Sequence, residues 1–543
     1  MPSYRKLAMR VLGRPLHTGG SDSPRPASQR AAAFVLTAAM LITLAAPAFA
    51  KEWYIEDGNI TVKAGDTKGT NKVSQGESTD VPDTDTVITN REKNASSNTV
   101  TIEAKDKDDK VEVTLKDVNI DTSSRNKAAV SVTGEGDTNI KLDGDNALKS
   151  DIYRSGIYGS GSGSLTISGG ENDSLTAQGG SGANGISSSG SLTISGGTVT
   201  ANGDDGGRGI SSSGSVTISG GSTVTANGGS GTISGGDGIW SGGGVTISGG
   251  STVTANGGNG GSLVGGDGIR SGGGLTVSDG TVTAKGGNGD SKDGYGGDGI
   301  RSGGVVTISG NTVNAAGGYG GKVGGYGICS FDRVAISGGT VEAAGGNGST
   351  GGGSGIYSSV IDLSGSLELT AKAGSPTGKA LLQNGRELDL DTIKDKLGPG
   401  AKVTTTDANG KTKEVSSPLP VEPEGPVIPE ESSSSSDDGS ATPSAPVSPL
   451  PGLTVTDKDG QRISYTSTQS GNTLTVCVGR FTASFRISLA ALRQLRAEGI
   501  ETITFQTILC STTLSVDELL AMGGEDAEAV LTHRFTDSSL TVG

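Results

Sequence analysis

The nine residues GGDGIRSGG stand at positions 265–273 and again at 296–304, and GGDGIWSGG, one change away, stands at 235–243. Five glycines in nine read as linker, yet the isoleucine keeps its place. Aligned on such Gly-Ile pairs, the chain yields Ile157, Ile186, Ile210, Ile239, Ile269, Ile300, Ile328 and Ile356, with successive spacings of 29, 24, 29, 30, 31, 28 and 28 residues. A second apolar pair follows each isoleucine, as in Leu192-Thr193-Ile194 or Val245-Thr246-Ile247. A third element follows that, such as Thr198-Val199-Thr200-Ala201.

Each element alternates apolar and polar residues, the signature of a strand with one buried face. Three short strands and three turns per unit predict one coil of a parallel β-helix. The fold expected is therefore all-β: a right-handed parallel β-helix with coils of about 28 residues. Eight coils at a spacing of about 4.8 Å would build a rod near 40 Å long. The isoleucine is then a rung of an internal ladder. The glycines are expected in turns outside that core, where positive φ is cheap, so their number can drift from 24- to 31-residue spacings.

Composition alone leaves two options. With 95 Gly, 31% apolar and 3% aromatic residues among 543, the chain is either disordered or repetitive. A shared register over eight units decides for repetition.

Residues 1–50 read as a secretory signal peptide: Arg5, Lys6, Arg10, Arg14, Arg25 and Arg30 lead an apolar run ending in Ala48-Phe49-Ala50. No later segment is apolar enough to cross a bilayer. The formal charge of −15 argues against nucleic-acid binding and leaves room for divalent cations. Residues 51–155 read as N-terminal coils and cap, with "ITVKAG" and "TVTIEA" near the start. Residues 156–373 are the eight regular coils, and 374–415, with "LDTIKDKL" as a helical turn, a C-terminal cap. Pro, Ser and acidic residues at 416–450 make a disordered spacer. Residues 451–543 read as a small α+β module, with a helix over "SLAALRQLRAEGI" opened by a serine and closed by Gly499. Of three cysteines, Cys477 and Cys510 share that module and are candidates to pair, which leaves Cys329 alone. The module resembles accessory modules of Gram-positive surface proteins in its strand, helix, G-I-x-T-I layout. The location expected is secretion or the cell surface of a bacterium of that type.

The stretch "VTLKDVNIDTSS…AAVSVTG…NIKLDGDNAL…SGIYGSGSGSLTISGG…LTAQGG" (113–180) resembles the clostridial carbohydrate-binding β-helix proteins, non-catalytic relatives in fold of pectate lyases. The L-x-G-x-N-x-L segment of that group is matched by Leu142-Asp143-Gly144-Asp145-Asn146-Ala147-Leu148. The likeness covers roughly 100–375. It implies binding to plant-type or acidic polysaccharide, with calcium at the fold.

Three outward columns are candidate surfaces. The residue after each repeat isoleucine runs Tyr158, Ser187, Ser211, Trp240, Arg270, Arg301, Cys329, Tyr357. An exposed tryptophan beside stacked arginines suits sugar by ring stacking and uronates by charge, so the expected carbohydrate contacts are Trp240, Arg270, Arg301, Tyr158 and Tyr357. The residue before Gly-Ile supplies Asp237, Asp267 and Asp298, carboxylates about 5 Å apart that would repel unless a cation such as Ca²⁺ intervenes. The alternative is a set of turn aspartates held by backbone N–H groups. The T-x-T row (Thr198/Thr200, Thr223/Thr225, Thr252/Thr254, Thr281/Thr283) looks like an ice-binding face, but Asn314 and Glu342 break it, and threonine is the ordinary outward residue of such strands.

Catalysis of the pectate-lyase kind needs clustered acids holding calcium with a nearby Arg base. Asp267, Asp298, Arg270 and Arg301 are the right types, but Arg follows Asp by three residues in both units, as simple repetition would produce. The expectation is a secreted, non-catalytic protein that binds extracellular polysaccharide. A structural or adhesive rod is the alternative, and a polysaccharide lyase the third reading.

Overall fold

The computed structural model describes residues 51–417 and most of 452–542. The expected signal peptide (1–50) and nearly all of the expected spacer (416–450) lie outside the described residues, as does Cys510. The chain divides into two units, each treated by itself.

The first unit is a parallel β-solenoid of about 13 turns. A representative coil runs Ile239–Ser241, Val245–Ile247 and Ser251–Asn256, so three sheets wrap one interior. Register is strict. Ile157, Ile186, Ile210, Ile239, Ile269, Ile300, Ile328 and Ile356 face one another rung by rung, and all are fully buried. The column continues in both directions, through Val130, Val100 and Ile60 on one side and Leu381 on the other. Val199, Val224, Val253, Val282 and Val313 form the matching column of the third sheet. Each fully buried Val or Ile contributes about 1.5–3 kcal/mol of transfer free energy, and none is realised until a neighbouring coil covers it.

Two residues beyond each isoleucine from Ile186 to Ile356, a buried serine turns the corner; after Ile157 the place is held by Gly159. The Oγ of Ser241 donates to the carbonyl of Gly214 at 2.9 Å and that of Ser271 to Gly243 at 3.0 Å. Ser302 and Ser330 repeat the pattern on Gly273 and Gly304. These hydroxyls add a second donor at the corner: the carbonyls of Gly214, Gly243 and Gly273 also accept the N–H groups of Gly243, Gly273 and Gly304. Asn146, the asparagine of the L-x-G-x-N-x-L segment, is likewise an internal rung. Its Oδ1 accepts from the Val118 N–H at 2.9 Å and its Nδ2 donates to the Ser174 carbonyl at 3.2 Å.

The glycines depart from expectation. Those of the Gly-Gly turn before the third strand do adopt positive φ, as at Gly249 (63°) and Gly250 (71°). The longer glycine-rich runs, such as 257–268, are not turns outside a core. Each doubles back on itself, backbone against backbone. A Cβ on Gly257 would sit 2.0 Å from the Gly266 carbonyl oxygen, and one on Gly266 would sit 1.9 Å from that of Gly236. The amides link in unbroken succession, alternately within and between coils. Gly236 donates to Gly229, Gly258 to Gly236, Gly266 to Gly258, Gly287 to Gly266 and Gly297 to Gly287, at 2.8–2.9 Å. The chain then runs through Gly318, Gly325, Gly346 and Gly353 to Gly374. Glycine is required here for close approach rather than for φ: backbones without Cβ atoms make a second, hydrogen-bonded interior beside the apolar one.

The ends are closed. Ile60–Ala64 pairs antiparallel with Asn71–Gln75, which pairs with Ser78–Asp83. Trp53 is buried there, its Nε1 donating to Asp83 Oδ2 at 2.7 Å. At the far end the 3₁₀ turn Leu390–Lys396 buries Leu390 and Ile393, and the hairpin Lys402–Thr406 with Thr412–Ser416 completes the cap.

Among the described residues, the second unit contains two four-stranded sheets and two helices. Helix α1 (Leu489–Ala497) starts at Ser488, whose Oγ accepts from the Ala491 N–H at 3.2 Å, and ends before Gly499 at φ 94°. Helix α2 (Val516–Ala521) uses Ser515 in the same way. Phe485 and Phe505 meet in the core with ring centroids 4.9 Å apart. The run 463–488 is not one antiparallel series. Thr466–Ser470 and Thr473–Cys477 pair antiparallel, but Thr473–Cys477 also pairs parallel with Thr502–Gln506, and Ala483–Ser488 joins the other sheet.

Candidate functional site

The strict register aligns the column after the isoleucines: Tyr158, Ser187, Ser211, Trp240, Arg270, Arg301, Cys329 and Tyr357 occupy consecutive rungs. The column is not uniformly outward. Tyr158 and Arg270 are exposed, and Trp240, Arg301 and Tyr357 are half-buried. Ser211 and Cys329 are buried, and burial pushes the Cys329 thiol up to about 12. That rung offers no reactive thiolate.

Trp240 is partnered. The Arg208 guanidinium lies 4.6 Å from its ring centroid, a cation–π contact that covers part of the ring. The guanidinium of Arg301 lies 5.1 Å from the ring of Phe331, which is 54% exposed. The rings of Tyr326 and Tyr357 stack at 5.1 Å. Arg270, between Trp240 and Arg301, has a guanidinium nitrogen 4.0 Å from Asp267 Oδ2, the longest of the three Arg–Asp separations on this face. Arginine and aromatic side chains thus form one strip along successive coils.

Behind the strip stands the slot that precedes Gly-Ile. It holds Ser155, Asn184, Arg208, Asp237, Asp267, Asp298, Tyr326 and Ser354. The three aspartates are 6%, 6% and 4% exposed. Each Oδ1 accepts the backbone N–H of the same slot one coil on: Asp267 N–H to Asp237 at 2.9 Å, Asp298 N–H to Asp267 at 2.7 Å, and Tyr326 N–H to Asp298 at 2.7 Å. Asn184 does the same for the Arg208 N–H at 2.8 Å. Each Oδ2 faces a guanidinium: Arg208 Nε at 3.1 Å from Asp237, Arg301 Nη1 at 3.1 Å from Asp298, and Arg270 near Asp267.

The cations that face these carboxylates in the structure are the guanidiniums of Arg208, Arg270 and Arg301. Ca²⁺ takes six to eight oxygens. Here one oxygen of each aspartate is committed to an amide and the other faces a guanidinium, so this donor set does not fit calcium. Among the described residues no group of three or more His, Cys, Asp or Glu is placed to hold a metal ion.

Three carboxylates so confined do not all ionise easily. Burial first, and then the charges of Asp298 and Asp237, push Asp267 up to about 8. Burial pushes Asp298 up to about 6, opposed by the Tyr326 amide and by Arg301. Burial and the neighbouring carboxylates thus favour the protonated form of the middle carboxyl, beside three guanidiniums, in a chain whose formal charge is −15.

The threonine rows are in register, Thr198 with Thr223, Thr252 and Thr281, and Thr200 with Thr225, Thr254 and Thr283. Asn314 and Glu342 follow in the second row. Arg208, Tyr326 and Phe331 were not among the expected site residues. Arg208 and Tyr326 were within reach: both stand directly before Gly-Ile, in the slot read only for its aspartates. Phe331 was also visible as a departure from the repeat: it stands three residues after Ile328, where the other seven coils carry Ser or Gly.

Comparison with protein-family models, with curated proteins and with solved structures returns no match.

Proposed function

We propose that the first unit is a non-catalytic binder of extracellular, acidic polysaccharide, and that the strip Trp240, Arg270, Arg301, with Arg208 and Phe331 beside it and Tyr158 and Tyr357 toward its ends, is the contact surface. One observation carries the reading: in an acidic chain, guanidiniums and aromatic rings occupy consecutive rungs of one sheet face, spaced about 4.8 Å apart. Rings and guanidiniums supply stacking and paired donors for carboxylate- or sulfate-bearing sugars. The signal peptide expected at 1–50 fits export of such a protein. The carboxylates that a lyase would spend on calcium are engaged by amides and arginines, which favours binding over cleavage.

The test is a glycan array and polysaccharide pull-down with the full-length chain. Retention on an acidic polymer that falls at least tenfold in Trp240→Ala and in Arg270→Ala supports the proposal. A second reading, a structural or adhesive rod, draws on the glycine lattice, which stiffens the stack without offering a ligand surface. Absence of binding to every glycan, with and without calcium, would favour that second reading.

A further inference from the structure

The aspartate column offers more than support for the strip. Asp237, Asp267 and Asp298 lie on consecutive coils and are almost wholly buried. Their compensating cations, Arg208, Arg270 and Arg301, are the cations of the strip in front. Three carboxyl groups and three guanidiniums share one small volume, so a proton bound by Asp267 or Asp298 leaves one guanidinium uncompensated at the surface.

We infer that Asp267 and Asp298 of this column form a proton-operated regulator of the strip's charge: protons taken up as pH falls release Arg270 and Arg301 from their aspartates and strengthen the hold on an anionic ligand. The inference rests on the reading of the strip as an anion-binding surface. The groups facing the column are few. Arg208, Arg270 and Arg301 supply the positive charge, Cys329 and Tyr326 lie toward Asp298, and Tyr357 stacks on Tyr326. Burial raises the Cys329 thiol and the Tyr326 phenol further above neutrality. The glycine-rich runs behind the slot carry Asp290, Lys292, Asp293, Tyr295 and Tyr319, all exposed, and Lys322, half-buried. No histidine lies in 51–415, since the two in the chain are His17 and His533. Between pH 5 and 9, ordinary Asp, Glu, Lys and Arg keep one charge state, so the column supplies the charge change of the rod in that window.

The structure provides the variant for the test. Asn184 occupies the same slot and accepts the next coil's N–H through Oδ1, so Asp267→Asn and Asp298→Asn preserve the bond that holds the coils. The probe is dextran sulfate, whose charge is fixed over the window. Titrated with the full-length chain, it is expected to bind about tenfold more weakly at pH 9 than at pH 5.5, the order expected for one to two unit charges at contact distance in a water-like dielectric. The Asp267→Asn/Asp298→Asn double variant is expected to change less than twofold.

A second readout needs no ligand. Both tryptophans, Trp53 and Trp240, belong to the rod, so their fluorescence follows its unfolding alone. A carboxyl raised in the folded state adds stability that is fully present below its unfolded value near 4 and is lost as pH rises through the folded value. The melting midpoint of the wild type therefore falls from pH 5 to 9, and that of the double variant stays level. Parallel midpoints in the two proteins would overturn the inference. A wild-type midpoint that titrates while dextran sulfate fails to bind at every pH would overturn the ligand reading and leave the proton-binding column standing.

Discussion

Two interiors run side by side through the rod, and they obey opposite rules. In the apolar one, Ile, Val, Leu and Ala fill space with side chains, and backbone appears only at the walls. In the glycine one, backbone packs on backbone and side chains are excluded, because the sites where they would begin already hold carbonyl oxygens. The first is stabilised by removal of apolar area from water. The second is stabilised by a relay of N–H···O bonds in which each glycine donates through its own N–H and accepts through its own C=O, so that closely packed backbone stays hydrogen-bonded. One coil supplies both, so low hydrophobic content does not imply a missing core.

The comparison is sharpest when one methyl group is added on one side and removed on the other. Gly266→Ala places a Cβ 1.9 Å from the Gly236 carbonyl oxygen, with backbone on both sides. It is expected to cost about 3 kcal/mol or more, the upper range for overpacking, read as a loss of urea midpoint by tryptophan fluorescence. Ser241→Ala lies on the border of the two interiors. It removes a second donor from the carbonyls of Gly214 and Gly244, which keep the N–H bonds of Gly243 and Val216, at about 1.5 kcal/mol, the upper range for one net hydrogen bond. Ile269→Val removes one methyl from the apolar column and is expected to cost about 1 kcal/mol. If Gly266→Ala proved cheaper than Ile269→Val, the glycine run would be a pliable loop and the distinction would fail. Chelation makes the smallest change: a melting midpoint unaltered by EDTA is expected, since arginine rather than calcium neutralises the aspartate column. A fall of several degrees would restore a metal to that site.

The second unit gives a further contrast. Burial lowers the pKa of His533, whose ring packs against Phe485 with its Nε2 3.0 Å from the Thr512 hydroxyl. A histidine depressed in the folded state loses its contribution to stability as pH falls from near 6.5 toward the folded value. Acid therefore favours the aspartate column of the rod and disfavours the module. Amide exchange at pH 5 and pH 8 is expected to shift in opposite directions in the two units.

The strand grammar was legible because period-two alternation and a fixed isoleucine need no tertiary information. Ile157 through Ile356 were placed on one column from spacing alone, and Ser488 and Gly499 marked the ends of α1 by local chemistry. The glycine interior was not legible. A glycine required for close approach looks the same in sequence as one required for positive φ, and Gly266 and Gly250 differ only in what stands opposite them. The site was half legible. The columns through Trp240, Arg270, Arg301 and Asp267 followed from register. Their state did not: the burial of Asp267, the arginine in place of calcium and the cover of Arg208 over Trp240 depend on which way long side chains turn.

The most direct test of two interiors is residue-resolved amide hydrogen exchange on the full-length chain. The account predicts that Gly236, Gly258, Gly266, Gly287 and Gly297 exchange as slowly as Ile239, Ile269 and Ile300, because all donate within the same cooperative stack. Exchange of those glycines near the rate of an unfolded peptide, while the isoleucines stay protected, would contradict it and return the glycine-rich runs to surface loops.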